Sequence, residues 1–138
     1  MAETIFSKIV RGEIPCHKLY EDEHVLAFLD VAPLSRGHTL VIPKDPAQDL
    51  HDADPAILGA TIQVVQTVAA AVKQAFDAPG IMIAQLSGAA AGQTVFHIHF
   101  HILPRSEGVQ FKLHAREVED AAVLEAHAER IRACLARG

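Results

Sequence analysis

The sequence has no tryptophan, one tyrosine and six phenylalanines, so it offers few aromatic platforms on which bases could stack. Its two cysteines, Cys16 and Cys134, stand far apart and share no C-x-x-C spacing. That argues against a disulfide framework and points to the cytoplasm. The apolar runs are broken before the roughly 20 residues a membrane span needs, and Met1-Ala2-Glu3 shows no basic region followed by an apolar stretch. Positive charge is scarce as well. Twelve lysines and arginines stand against 17 aspartates and glutamates, a net charge of −5 with no basic block. That argues against a general nucleic-acid binder, and any phosphate ligand must be held by a local constellation.

What is left is a chain of 138 residues, half hydrophobic and 21% charged, which suits a single domain over 1–138 with one core. Histidine is in excess. There are nine, and His97, His99 and His101 fall within five residues of one another.

Thr4 ahead of Ile5, Phe6, Ile9 and Val10 predicts a short capped helix that Gly12 ends. Lys18 to Tyr20 and Val25 to Leu29 read as strands around the turn Glu21-Asp22-Glu23, and Thr39 to Ile42 as another, stopped by Pro43. From Asp54 to Asp77, Leu58, Ile62, Val65, Ala69, Val72 and Phe76 step by threes and fours, the face of a long helix with Asp54 as N-cap and Pro55 in its first turn. Ile81 to Leu86 is a strand, Ser87 to Gly92 a small-residue loop, and Val95 to Leu103 a long strand stopped by Pro104. A last helix from Val118 to Leu135 carries Val118, Ala121, Leu124, Ala128, Ile131 and Leu135 on one side. Strands joined by short turns and a helix long enough to cover a sheet face give an α+β domain with about five antiparallel strands. Edge strands this apolar need covering, and a homodimer that extends the sheet would do so.

In Phe96-His97-Ile98-His99-Phe100-His101-Ile102 apolar residues and histidines alternate strictly. Successive strand residues point to opposite faces, so Phe96, Ile98, Phe100 and Ile102 are expected in the core. His97, His99 and His101 then line the other face about 6.6–7 Å apart, with His38 at the head of a neighbouring strand. Three readings compete. A solvated face would be served as well by lysine or threonine. A metal site would take two of these imidazoles and a third ligand from His38, Asp30 or His114. Catalysis would use a neutral imidazole as nucleophile, with neighbours that set its tautomer and protonate a leaving group. Gly88-Ala89-Ala90-Ala91-Gly92-Gln93-Thr94 offers exposed backbone N–H groups, an amide and a hydroxyl. That is a cradle for phosphate, for which a metal site has no need.

The run His97-Ile98-His99-Phe100-His101-Ile102-Leu103 resembles the histidine triad (HIT) pattern of histidines alternating with apolar residues. TIFSKIVRGEIP (Thr4–Pro15), AFLDVAP (Ala27–Pro33), GHTLVIPK (Gly37–Lys44) and GAAAGQTVFHIHFHILPR (Gly88–Arg105) look like the nucleoside phosphoramidase branch, in order and with similar spacing. The resemblance covers residues 4–105 and leaves 106–138 as a C-terminal extension. It implies a hydrolase that cleaves purine nucleoside phosphoramidates to a nucleoside monophosphate through a covalent nucleotidyl-histidine intermediate, with no cofactor or metal. Dinucleoside polyphosphates and acyl-adenylates are the alternative substrates within the family. A nucleotide-binding module with incidental turnover and a metal-dependent enzyme are the alternatives outside it.

Carried over by resemblance, His99 is the nucleophile, with its second ring nitrogen held as a donor by a backbone carbonyl. His97 fixes the local geometry with His38 behind it in a hydrogen-bonded pair, and His101 contacts the phosphate. Gly92, Gln93 and Thr94 match positions that bind the phosphate or the leaving group. Asp30 matches the acceptor of the ribose hydroxyls, and Ile5, Phe6, Ile9, Phe28, Leu29 and Val31 match the walls around the base. The resemblance also implies three departures. Thr4 and Ser7 stand where many relatives carry zinc-binding cysteines, so no structural zinc is expected. Leu86 stands at a usual asparagine, and residues 106–138 do not match the phosphoramidase C-terminus.

Overall fold

The computed structural model describes residues 3–108 and 117–137. Helix α1 (Ile5–Val10) is capped as its sequence asks. Thr4 Oγ1 accepts the Ser7 N–H at 3.2 Å while the Ser7 hydroxyl accepts the Thr4 N–H at 3.3 Å, so two donors at the helix start satisfy each other's residues. Strands β1 (Lys18–Glu21) and β2 (Val25–Leu29) form a hairpin. Asp22 ties its turn by accepting the His24 and Val25 N–H groups, each at 2.8 Å. After β3 (Thr39–Pro43) comes α2 (Pro55–Ala75), started by Asp54, whose carboxylate accepts the Ala56 N–H at 2.8 Å. Strand β4 (Gly80–Gln85), a 3-10 turn (Ala89–Ala91), β5 (Phe100–Arg105) and α3 (Ala121–Arg137) complete the chain.

The strands form one antiparallel sheet in the order β1-β2-β3-β5-β4, an α+β fold. On one face Val25, Ala27, Leu29, Val41, Phe100 and Ile102 meet Val65, Val68 and Val72 of α2 and Leu124, Ala128 and Ile131 of α3. On the other, Leu26, Phe28, Leu40 and Ile42 pack beneath Phe6 of α1. The central strands are covered on both sides, which is why their sequences are nearly all apolar. Each fully buried valine, leucine or isoleucine contributes about 1.5–3 kcal/mol.

Four expectations are corrected. The histidine strand enters the ladder at Phe100, not Val95. Upstream the Ile98 N–H donates to the carbonyl of Ala47, a loop residue, at 2.8 Å, and Phe96 is exposed rather than in the core. Nor does Pro104 stop this strand. It lies opposite Ile81 of β4, past the point where β3 stops pairing with β5, so its missing N–H falls on an unpaired side. The buried stripe of α2 is Thr61, Val64, Val65, Val68, Ala71 and Val72. Of the expected face, Val65 and Val72 are in this core and Leu58, Ala69 and Phe76 pack against it, whereas Ile62 is exposed and lines a groove with Ile83 of β4. Finally, Val118 lies ahead of α3 and is 78% exposed. The helix starts only where Asp120 accepts the Ala122 N–H at 2.8 Å.

By length and composition α2 would pass for a membrane span, but its valine stripe is the underside of the layer that covers the sheet. The start of α3 can be checked by urea denaturation. Leu124→Ala should cost about 2–5 kcal/mol and Val118→Ala less than about 0.5 kcal/mol; equal costs would place Val118 in the core.

Candidate active site

Because the chain leaves the ladder before Phe100, His97 and His99 lie on an irregular segment beneath α1, and only His101 is on the sheet. All three are buried. The His97 Nε2–H donates to the Pro43 carbonyl at 2.8 Å, and the buried Nδ1 has no partner. Burial pushes this imidazole below its ordinary pKa, so the ring is neutral. His99 Nδ1 lies 2.8 Å from the carbonyl of His97. A carbonyl can only accept, so in the neutral ring the proton sits on Nδ1 and Nε2 carries the lone pair. Phe6 meets the His99 ring edge-on, with centroids 5.0 Å apart at 89°.

His101 stands opposite Leu40 of β3, on the face that His38 also reaches. His38 Nδ1 accepts the Leu34 N–H at 3.1 Å, so the His38 proton is on Nε2. That nitrogen lies 2.9 Å from His101 Nδ1, and donation across this contact leaves the proton of a neutral His101 on its own Nε2. The His99 and His101 rings are 4.9 Å apart. His38 therefore pairs with His101, not with His97. The early exit from the ladder carries His97 to the far end of β3, at Pro43, while His38 precedes its near end.

The remaining expected residues divide. Asp30 is buried, accepts the Ala32 N–H at 2.9 Å and lies 3.7 Å from His38 Nδ1. Phe6, Ile9 and Phe28 meet in the cluster under α1. Ile5 and Val31 are exposed. Leu29 points to the opposite face and packs in the helix-covered core, a consequence of strand alternation after Phe28.

Gly92 and Thr94 are exposed at the end of the small-residue loop, with Gly92 at φ +105°. Gln93 is buried. Its oxygen accepts the Gly88 N–H at 2.7 Å, and its amide donates to the carbonyls of Gln48 at 2.7 Å and Val95 at 3.0 Å. Its side chain is thus spent on shaping the loop. Pro43 and Leu34 were not foreseen: each acts through a backbone group, for which side-chain patterns carry no signal. His114 lies outside the described residues.

Four buried histidines, bonded to one another or to backbone carbonyls beside a five-stranded antiparallel sheet, define the class. A HIT domain is matched over residues 11–108. The chain is 43% identical over 101 residues, 73% of each chain, to the adenosine 5'-monophosphoramidase hnt1 of Schizosaccharomyces pombe. Its structure is similar to that of a Hit-like protein involved in cell-cycle regulation from Bartonella henselae, crystallised with an unknown ligand. The TM-score is 0.90, with 46% identity and 96% of both chains covered. A zinc-bound histidine triad family protein from Mycobacterium smegmatis gives a TM-score of 0.86 at 41% identity, covering 96% of this chain and 93% of that one. The chain belongs to the HIT family.

At the start of α1 the residues present do not fit a zinc ion. The hydroxyls of Thr4 and Ser7 are 3.3 Å apart and serve the helix cap. The cleft of about 350 Å³ beside His97 is lined by Lys44 and Arg11 as well as Glu3, Ser7 and Pro46. Neutral hydroxyls are poor zinc ligands beside thiolate, imidazole or carboxylate.

The depressed His97 pKa sets a pH dependence. Below the unfolded imidazole's ordinary value, about 6.5, the unfolded chain takes up a proton that the native ring refuses. Stability is therefore full above that pH and falls as the pH drops toward the native value. Between pH 7 and 5 the urea midpoint should decline, and His97→Gln should lessen the decline; an unaltered slope would contradict it.

Proposed function

We propose that the protein is a hydrolase of purine nucleoside phosphoramidates, cleaving the phosphorus–nitrogen bond through a nucleotidyl intermediate on His99. One observation carries the reading: the Nδ1–H of His99 is given to the His97 carbonyl, so that Nε2 is a basic lone pair in a water-poor site. In the first step Nε2 attacks the α-phosphorus and the bond to the leaving amine breaks. The leaving nitrogen takes its proton from solvent and departs as the neutral amine, while the His101 Nε2–H donates to a phosphate oxygen as charge develops there. In the second step water attacks the same phosphorus and loses a proton to solvent, the bond to His99 Nε2 breaks, and the nucleoside monophosphate and the neutral His99 ring are released.

His38 keeps His101 in the donating tautomer, and His97 supplies the carbonyl that orients His99. Asp30 takes the ribose hydroxyls. Phe6, Ile9 and Phe28 wall the base, with Ile5 and Val31 at its rim. The Gly92 backbone and Thr94 meet the phosphate, and Gln93 positions their loop. The monophosphoramidase activity of the yeast relative supports this reading.

The test is mass spectrometry of enzyme quenched during turnover of an adenosine phosphoramidate. A nucleotidyl adduct on His99 is expected. His99→Asn should cut turnover by roughly 10³-fold or more while AMP still binds. Unchanged turnover in that variant would remove His99 as nucleophile.

The same proposal makes the protein a cytoplasmic homodimer. β4 is an edge strand without a charge or a proline, the devices that normally block edge pairing. Ile83 on it and Ile62 on α2 are exposed and line an apolar groove of about 530 Å³ with Val65 and Ala69. A second copy pairing antiparallel along β4 would continue the ladder and cover both isoleucines. Light scattering should give twice the chain mass for the wild type and the chain mass for Ile83→Lys; a monomeric wild type would end this part of the proposal.

A further inference from the structure

At the other end of β5 from the histidines lies a second cleft, of about 150 Å³, lined by Leu34, Ser35, Arg36, Phe76, Pro104, Arg105 and Ser106 among others. Its floor is built tightly. Arg36 lies over the Phe76 ring, 5.5 Å from its centroid, and Arg130 of α3 also lies over that ring, at 4.6 Å. The next residue is Gly37 at φ +80°, where an added Cβ would come within 2.5 Å of Phe76. Only glycine lets the loop settle this closely, and its close approach fixes the backbone from which Arg36 projects.

Arg130 donates to the Ala75 carbonyl at 2.5 Å, whereas Arg36 has no carboxylate within ion-pair distance among the described residues. The Ser35 hydroxyl makes only a long contact, 3.4 Å, to the Pro104 carbonyl. His127, edge-on to Phe76 at 5.3 Å, is held below its ordinary pKa by burial and then by Arg36 and Arg130.

We propose that this cleft is an anion site for a phosphate group, gripped by the guanidinium of Arg36 and by the hydroxyls of Ser35 and Ser106, and separate from the histidine site. A guanidinium fork beside hydroxyl donors suits the tetrahedral oxygens of a phosphate. The loop that would hold the anion also holds His38. The Leu34 N–H reaches the His38 ring, and the Ser35 carbonyl accepts the His38 N–H at 3.1 Å. An occupied cleft thus stiffens the support of the His38–His101 pair without touching either ring.

The experiment is a titration of the full-length protein with inorganic pyrophosphate at low salt, followed by backbone amide shifts. Saturable shifts are expected at Leu34, Ser35, Arg36, Gly37 and Ser106, weakening as salt screens the site. Arg36→Ala should weaken them at least tenfold, Arg36→Lys should restore them in part, and any response of Gly88 to Thr94 should persist in both variants. No saturable shift around Arg36, or shifts that survive Arg36→Ala, would overturn the proposal. Inorganic phosphate reproducing the shifts identifies the free anion as the ligand. Shifts with pyrophosphate alone identify a phosphate chain. A silent Gly88–Thr94 segment would count against the hydrolase reading and leave this cleft untouched.

Discussion

The site hangs on a hydrogen bond between near neighbours, from the Nδ1–H of His99 to the carbonyl of His97. In a regular antiparallel ladder a carbonyl lies in the sheet plane and is taken by the adjacent strand. The His97 carbonyl is open to a side chain because the segment ahead of Phe100 has left the sheet. Its backbone is held by a loop instead, through the Ile98 N–H and Ala47. The irregular stretch converts a row of three imidazoles into three rings in different settings. One hangs from Pro43, one from its own chain and one from His38.

Charge bookkeeping explains why all of these rings sit in donor–acceptor chains. A buried imidazolium without a counter-charge is costly, while a neutral ring asks only for one donor and one acceptor partner. Leu34 N–H to His38, and His38 to His101, satisfies that demand in sequence and passes a tautomer choice from a loop amide to the ring beside His99. His97 is the exception, with one nitrogen bonded and the other not. Its depressed pKa follows from the same burial that leaves Nδ1 without a partner.

Much of this was legible in the sequence, for identifiable reasons. Caps announced themselves at Thr4 and Asp54 because their side chains act within three residues. The face shared by the histidines was legible because alternation survives an irregular backbone: Ile98, Phe100 and Ile102 stay in the helix-covered core. The start of β5 was not, since it depends on Ala47, some fifty positions away. That Val64, Val68 and Ala71 join the α2 face while Ile62 leaves it was also hidden, because valines and alanines on adjacent faces give similar periodicities and the sheet chooses between them. Gln93 looked like a ligand because nothing in its neighbourhood reveals that Gln48 will claim its amide.

The loop between β2 and β3 connects these levels. Asp30 stands at one end and His38 at the other, and between them the chain is braced from behind by parts of the molecule with no place in the histidine site. The Glu119 N–H donates to the Val31 carbonyl at 2.8 Å, and the ring of Phe76 lies beneath Arg36 and Arg130. The family match ends at residue 108, yet Glu119 and Arg130 lie beyond it. The C-terminal segment therefore supports the Asp30–His38 loop from behind, through a backbone hydrogen bond and through the ring on which Arg36 rests, without supplying a side chain to the histidine cluster. The position of His38 rests on residues outside the matched domain as well as on those within it.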